Sequence, residues 1–255
     1  NTVFYKVYEP HDRIIVRDSD EFSFSSDGVP LPTDGDNIVV KAITLCSERF
    51  LGGEMPKFTM ELKKSVPIGA GLGGGSANAA AAIQIFSEFA KKLSKEEMFN
   101  VARTLGADVP FFLFHSDAAI AAGIGDELLP INLKINMPIL IAQIAGTSIS
   151  TAMAYNELKI AHRLAPTNFQ DRFRTASDPQ QWRNFIVNDF EDVAFSSHPI
   201  LRSLKQSLYD FGAEFALMSG SGSAFFAIYK TSEHAELARE KLLTDYPETS
   251  VFISR

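Results

Sequence analysis

The sequence has little cysteine, no long apolar run and no excess of basic residues. Its single cysteine, Cys46, excludes an internal disulfide bond, and its apolar neighbours favour a core thiol over a catalytic one. No apolar stretch approaches the roughly 20 residues that span a bilayer. The net charge of -7 and a pI near 5.3 disfavour nucleic-acid and membrane-surface partners. We therefore expect a cytoplasmic protein, with a plastid location left open because the segment before Asn1 is not visible.

Paired metal ligands are also missing from the sequence. The five histidines occur singly, with no partner at helical spacing and no second cysteine to form a metal-binding pair; they are His11, His115, His162, His198 and His234. Such isolated residues are typical of surface or capping positions. The sequence therefore predicts no protein-held metal site.

The length of 255 residues and the 45% hydrophobic content suit two ordinary domains. The pattern changes after Pro130, where residues 138–144 form an apolar run typical of a buried strand. We predict an α+β protein with domains at residues 1–133 and 134–255. Residues 165–181 are rich in Pro, Ser, Asp and Gln, which indicates an exposed connector.

Local signals place most of the helices and strands. In the first half we predict paired strands at 2–8 and 13–17, a strand at 22–25, a helix from the cap Asn37 to Leu51, an alternating strand at 57–63 and a helix opened by a capping box at 94–97. In the second half we predict strands at 138–144, 214–218, 224–229 and 251–253, with helices starting at 152, 200 and 232. This second set suits a ferredoxin-like layer.

A glycine-rich loop is the most informative stretch. Five glycines fall within seven residues, and an Ala-rich helix follows; the loop consists of Pro67, Ile68, Gly69, Ala70, Gly71, Leu72, Gly73, Gly74, Gly75, Ser76 and Ala77. Free N–H groups at a helix start, together with the helix dipole, favour an anion such as phosphate. The Ser76 hydroxyl can join them.

Three other interpretations of this loop are weaker. A Walker-type loop needs a lysine after its last glycine, and Gly75 is followed by serine. A dinucleotide fingerprint is formally present as Gly69, Gly71 and Gly74, but the preceding strand alternates as in a sheet with one wet face, and a second helix follows where a strand is required. A flexible linker does not normally join a strand to an Ala-rich helix.

Two further motifs carry polar groups. Residues 106–110 read Gly-Ala-Asp-Val-Pro, in which Asp108 suits an N-cap because Pro110 fits a first helical turn. Residues 218–224 read Met-Ser-Gly-Ser-Gly-Ser-Ala and lie between two predicted strands. They form either a tight turn or a second glycine loop close to the first.

These three motifs, in this order, closely resemble those of the GHMP kinases, the superfamily of galactokinase, homoserine kinase, mevalonate kinase and phosphomevalonate kinase. The resemblance implies an N-terminal domain like domain 2 of ribosomal protein S5 and a ferredoxin-like C-terminal domain. It also implies that residues 67–77 bind the triphosphate of ATP, that Mg²⁺ arrives with the nucleotide, and that Asp108 is the catalytic aspartate, acting as a base or orienting the acceptor hydroxyl.

Residues 36–42, 148–155 and 188–191 resemble the branch of this superfamily that phosphorylates a cytidine-diphosphate-linked methylerythritol in the non-mevalonate isoprenoid pathway. The resemblance implies transfer of the ATP γ-phosphate to the 2-hydroxyl of that small-molecule substrate, with substrate contacts from Asp108, Thr151, Tyr155, Gly220, Ser221 and Gly222. For Tyr155, ordinary helix packing is the alternative. Another small-alcohol kinase, of homoserine or mevalonate type, is the rival activity.

One part of that family pattern does not appear in this sequence. The catalytic lysine and the Asp-Gly-Tyr-His segment that grips cytosine belong to a stretch before the first predicted strand. We expect that the chain lacks its start. If the lysine is truly absent from the protein, the sequence favours a non-catalytic nucleotide-binding protein.

Overall fold

The computed structural model describes residues 2–28, 31–122, 127–158 and 178–254. Most of the predicted connector at 165–181 therefore lies outside the described residues. The chain divides into two compact units. Unit 1 comprises Asn1–Lys6, His11–Ile68 and Gly73–Asn132, and unit 2 comprises Val7–Pro10, Gly69–Leu72 and Leu133–Arg255.

Unit 1 contains two three-stranded sheets. The first has the order β1-β5-β6, formed by β1 (Thr2–Tyr5), β5 (Ala118–Ala122) and β6 (Glu127–Pro130). The second has the order β2-β4-β3, formed by β2 (Arg13–Asp18), β3 (Ser23–Asp27) and β4 (Phe58–Lys63). β4 runs antiparallel to β2 and parallel to β3.

The predicted pairing of the first two strands is wrong. β1 pairs antiparallel with β5, so that Thr2 lies opposite Ala121, whereas β2 pairs with β4. The intervening segment Val7–Pro10 belongs to unit 2, where the backbone N–H of Tyr8 donates to Ser254 Oγ at 3.2 Å. A chain that leaves the unit between two strands cannot form the short turn that a hairpin requires.

In the described part of unit 1, four helices share one hydrophobic core with the second sheet: α1 (Ile38–Phe50), α2 (Gly74–Phe89), α3 (Lys95–Leu105) and α4 (Val109–Leu113). The predicted cap of α1 is confirmed, since Asn37 Oδ1 accepts from the N–H of Val39 at 2.9 Å. The capping box of α3 is confirmed as well. The alternation of β4 places Phe58, Met60 and Leu62 in the core.

Unit 2 is built on one antiparallel sheet with the order β10-β7-β9-β8. Its strands are β7 (Ile139–Ile144), β8 (Phe215–Met218), β9 (Phe225–Ile228) and β10 (Thr249–Ser254). The helices among the described residues of unit 2 are α5 (Thr151–Glu157), α6 (Pro179–Trp182), α7 (Glu191–Ser197), α8 (Ile200–Asp210) and α9 (Ser232–Asp245).

The sheet order of unit 2, counted along the chain, is fourth, first, third and second strand. Helices α8 and α9 each lie between consecutive strands in sequence and bury leucines against the sheet, among them Leu204 and Leu242. This is the ferredoxin-like arrangement, so the predicted layer is confirmed. In the part of the chain that the structure describes, every helix is too short or too polar to cross a membrane.

Candidate functional site

The glycine-rich loop connects β4 to α2 and depends on left-handed backbone conformations. Gly69, Gly71 and Gly73 have φ angles of 64°, 74° and 68°, which side chains other than glycine rarely tolerate. Gly73 stands at the N-cap of α2 and supplies no side-chain cap. The first helical bond runs from the N–H of Ala77 to the Gly73 carbonyl at 2.9 Å. Three amides at the start of α2 therefore need other acceptors.

The start of α2 has the properties of an anion site. Among the described residues, no acceptor is found for the amides of Gly74, Gly75 and Ser76. Gly75 is exposed, and a Cβ placed there would meet only Ile38, at 3.9 Å. Residues 67–77 include no acidic side chain that would repel an anion. The donors and the helix dipole thus fit a phosphate group, as the sequence predicts for this loop.

Within unit 2, the middle of this loop contacts the second glycine motif. Ser219 Oγ donates to the carbonyl of Gly71 at 2.8 Å, across 148 positions of sequence. The N–H of Ala224 donates to the carbonyl of Ala70 at 3.0 Å. A Cβ at Gly71 would overlap the Ser219 carbonyl oxygen and lie 3.1 Å from the Gly222 nitrogen. The two glycine segments therefore touch through their backbones, and glycine at 71 is what permits it.

Hydroxyl groups line the same segment. Thr151 Oγ1 and Ser221 Oγ lie 2.9 Å apart, so the structure brings together two residues that the family resemblance implies as substrate contacts. Beside them, Thr147 Oγ1 lies 2.9 Å from Ser223 Oγ, and both of these side chains are buried. These two contacts join Thr147, which follows β7, and Thr151, the first residue of α5, to the second glycine motif.

Asn188 and Glu191, which entered the sequence analysis only as part of a family resemblance, support the second glycine motif. Asn188 Nδ2 donates to the carbonyls of Met218 and Gly220, at 2.8 and 2.7 Å. Glu191 Oε1 accepts from the N–H of Met218 at 3.1 Å, while its other oxygen lies 2.6 Å from Lys205 Nζ. These contacts satisfy backbone groups at the end of β8 and in the glycine turn that follows it. In the sequence, the indication was a pair of polar residues at the start of α7: Asn188 lies three residues before the helix, and Glu191 is its first residue.

Tyr155 lies on α5 with 62% of its surface exposed. Its ring contacts Phe190 edge-on, with 4.9 Å between the ring centroids. Helix packing thus accounts for one edge of the ring and leaves most of it open to solvent. An exposed aromatic face is what a stacking partner such as a nucleobase requires.

Asp108 belongs to unit 1 and immediately precedes α4. Its side chain makes no capping hydrogen bond, so the capping interpretation is wrong for the carboxylate. The residue is open to solvent, yet the protein atoms around it displace enough water that burial raises the pKa of its carboxyl group. An accessible carboxylate without a capping bond, and with a raised pKa, is available to an incoming hydroxyl group.

Side chains suited to metal binding do not gather into groups of three or more anywhere in the described ranges. The core position predicted for Cys46 is confirmed, because the thiol is fully buried and burial raises its pKa to about 12. Sequence reasoning missed one buried group, formed by Asp12, Lys64 and Asn78 beside the glycine-rich loop. Its only signal was an asparagine within the Ala-rich run.

Comparison with known proteins identifies two matching family profiles and relatives that are similar over most of their length. The profile of the GHMP kinases N terminal domain matches residues 37–116, and that of the GHMP kinases C terminal domain matches residues 173–248. The 4-diphosphocytidyl-2-C-methyl-D-erythritol kinase of Parabacteroides distasonis is 33% identical over 236 residues, which cover 91% of this chain and 83% of that protein. The kinase of the same name from Nitratidesulfovibrio vulgaris is 37% identical over 253 residues, covering 95% and 85%.

Solved structures agree with these sequence comparisons. A crystal structure of 4-(cytidine 5'-diphospho)-2C-methyl-D-erythritol kinase matches 95% of this chain and 85% of its own with a TM-score of 0.76 and 29% identity. Homoserine kinase from Cytophaga hutchinsonii matches 98% and 88% with a TM-score of 0.70, but at 20% identity it shows the fold alone. The chain has the two-domain α+β fold of these enzymes, and it belongs to the GHMP kinases, a family of ATP-dependent phosphotransferases.

Proposed function

We propose that this chain transfers the γ-phosphoryl group of ATP to the 2-hydroxyl group of 4-diphosphocytidyl-2-C-methyl-D-erythritol, in the non-mevalonate route to isoprenoid precursors. The observation that carries the proposal is near-full-length similarity to kinases of that name, at 33% and 37% identity. The homoserine kinase resemblance supports the fold and carries no argument about the acceptor.

We assign phosphate binding to residues 67–77. ATP, when bound, supplies the phosphoryl group that is transferred. The amides of Gly74, Gly75 and Ser76 would donate to phosphate oxygens, because they have no acceptor among the described residues. Donors held in fixed positions also stabilise the charge that develops during transfer. We propose that Mg²⁺ arrives with the nucleotide and neutralises part of its charge.

We assign Asp108 to the acceptor hydroxyl. A carboxylate with an ordinary pKa near 4 is a weak base for an alcohol, so the side chain would orient the hydroxyl and take its proton late in the transfer. Burial raises the pKa of Asp108, which makes the carboxylate a better proton acceptor than an ordinary surface aspartate. The lack of a capping bond keeps the carboxylate oxygens available for that role.

We assign substrate contacts in unit 2 to Thr151, Tyr155 and the segment 220–222. The exposed ring of Tyr155 suits the face of the cytosine base. The paired hydroxyls of Thr151 and Ser221 suit the diphosphate, since both can donate to phosphate oxygens.

We place the boundary between the N-terminal and C-terminal domains at residues 133 and 134.

The test is a comparison of acceptors with full-length protein and Mg-ATP. ADP release is measured with 4-diphosphocytidyl-2-C-methyl-D-erythritol, homoserine and mevalonate. We expect kcat/KM for the first acceptor to exceed the others by about 10³-fold or more. A higher value for homoserine or mevalonate would reassign the substrate. Nucleotide binding without ADP release from any acceptor would reject the enzymatic function.

The role of Asp108 is tested separately by Asp108→Asn, which keeps the shape of the side chain and removes its charge. We expect kcat to fall about 10²- to 10⁴-fold, with nucleotide affinity retained. Asp20→Asn makes the same chemical change at an exposed position of unit 1 and serves as the control. An unchanged kcat in Asp108→Asn would remove Asp108 from the mechanism.

A further inference from the structure

A buried ion pair lies beside the glycine-rich loop in unit 1. Asp12 Oδ2 and Lys64 Nζ are 2.6 Å apart, and their side chains are only 4% and 5% exposed. Other ion pairs among the described residues are more exposed, such as Arg17 with Glu61, at 59% and 27%. Removing two charges from water is costly, so a pair of this kind persists only when its hydrogen-bonding capacity is met.

The carboxylate of Asp12 meets that condition with four donors. Oδ1 accepts from the backbone N–H groups of Ser65 and Val66, at 2.7 and 2.8 Å. Oδ2 accepts from Lys64 Nζ and from Asn78 Nδ2, the latter at 2.9 Å. Lys64 Nζ also donates to the carbonyl of Val66 at 2.6 Å. Every one of these donors lies at one end or the other of the glycine-rich loop.

The positions of the donors in the chain show what the carboxylate joins. Lys64, Ser65 and Val66 immediately precede the loop at 67–77, whereas Asn78 immediately follows it, in the second turn of α2. Asp12 comes from a separate segment, 52 positions before Lys64. The start of α2 also lies against the segment that precedes the loop, since a Cβ added at Gly74 would lie 2.9 Å from Val66 Cγ1. One side chain thus closes the base of the loop.

We propose that Asp12, Lys64 and Asn78, here called the Asp12 cluster, hold the phosphate loop in its nucleotide-binding shape. The proposal rests on the assignment of residues 67–77 to phosphate binding. Asp12 is a positioning residue that acts through the backbone. Its carboxylate already accepts four hydrogen bonds, from Ser65, Val66, Lys64 and Asn78, and has no acceptor capacity left for a ligand. Its negative charge is neutralised by Lys64, so it does not oppose phosphate binding nearby.

The experiment compares Asp12→Asn with a variant that weakens the same unit elsewhere. Asparagine keeps the side-chain shape but replaces one acceptor oxygen by a donor that faces Lys64 or the two amides. Met60→Ala is the control, because Met60 is 1% exposed on β4 and its removal destabilises the core without touching the loop. Both variants are measured for the Kd of a non-hydrolysable ATP analogue and for amide hydrogen exchange without nucleotide.

We expect Asp12→Asn to raise the Kd about tenfold and to speed exchange at the Ala77 amide by a similar factor, while Met60→Ala leaves the Kd unchanged. Asn78→Ala removes only the bond to the helix end and keeps a good helix former, so it provides a milder second variant if Asp12→Asn fails to fold. We expect it to raise the Kd a few-fold.

Equal changes in Kd for Asp12→Asn and Met60→Ala would overturn the proposal, and so would an unchanged Kd in both Asp12→Asn and Asn78→Ala. Neither measurement uses the acceptor alcohol, so an error in the proposed substrate would not affect the result. If the wild-type chain bound no nucleotide, the proposed function would fail, and exchange at Ala77 would still decide whether the Asp12 cluster fixes the loop.

Discussion

Replacing Gly71 with alanine should impose two separate costs on the glycine-rich loop, a strained backbone conformation and a steric collision. Gly71 has a φ of 74°, and a Cβ there would overlap the carbonyl oxygen of Ser219. Gly146, in the same unit, has a φ of 76°, and a Cβ added there would meet nothing within 4 Å. Gly146→Ala therefore reports the backbone strain alone, and Gly71→Ala reports the strain together with the collision.

The magnitudes follow from the contacts. Left-handed strain costs alanine about 1 kcal/mol. Relieving the collision requires the two glycine segments to move apart, which breaks the bonds from Ser219 Oγ to Gly71 and from Ala224 to Ala70. At about 1 kcal/mol for each bond, Gly71→Ala should lose about 3 kcal/mol of unfolding free energy, against about 1 kcal/mol for Gly146→Ala.

The protein provides its own probe for this measurement. Its only tryptophan, Trp182, lies in unit 2, is buried and packs edge-on against Phe215. Its fluorescence during urea titration therefore follows the unit that contains both substitutions. Equal losses of unfolding free energy in the two alanine variants would contradict this prediction, because they would show that the close approach of the glycine segments has no energetic consequence.

Three further predictions use single groups. Ser94→Ala removes the capping box of α3 and should cost about 1 kcal/mol, measured by urea unfolding; a loss indistinguishable from zero would contradict the box. Cys46, with its pKa raised to about 12 by burial, should resist iodoacetamide at pH 8 until urea unfolds the chain, and equal labelling rates in both states would contradict its burial. Burial tends to raise the pKa of Asp12, but hydrogen bonds from Lys64, Val66, Ser65 and Asn78 hold it below its usual value. Its stabilising contribution is therefore complete above the unfolded pKa of about 4 and is lost as the pH falls through the lower folded pKa. The difference in unfolding free energy between wild type and Asp12→Asn should therefore shrink under acid. A difference that stays constant with pH would contradict the assignment of a charged carboxylate to Asp12.

The features predicted correctly from the sequence are those determined within a few residues. The cap at Asn37 and the box at Ser94 need only the residues that follow them. The predicted start of α9 at 232 is confirmed, and the Thr231 side chain caps it by accepting from the N–H of His234. The alternation in β4 is set by the period of the strand itself. The order of the ferredoxin-like sheet follows from the sequence of these elements, because few arrangements satisfy the connections.

The pairing of β1 could not be found in the same way. Thr2 pairs with Ala121, and no local pattern marks a partner at that distance. Proximity along the chain favoured β2, and that preference is usually sound for antiparallel strands. Here Val7–Pro10 intervenes and packs with unit 2. The error thus came from applying a rule about neighbours where the chain passes through another unit between the two strands.

In the candidate site, too, the locally determined features could be predicted from the sequence and the long-range contacts could not. A glycine that must adopt a left-handed conformation is visible in the sequence, because the requirement belongs to its own backbone. A carboxylate that holds a loop in place cannot be recognised from the sequence in this way, because its role depends on donors from distant segments. The chain has 31 acidic residues, and nothing near Asp12 in sequence separates it from exposed ones such as Asp20. The proposed phosphate donors are therefore local, whereas Asp12 supports the base of the glycine-rich loop in unit 1, and Asn188 and Glu191 support the second glycine motif in unit 2. Substitutions at these supporting residues should reveal how much of nucleotide affinity comes from loop shape, since they leave every proposed phosphate donor in place.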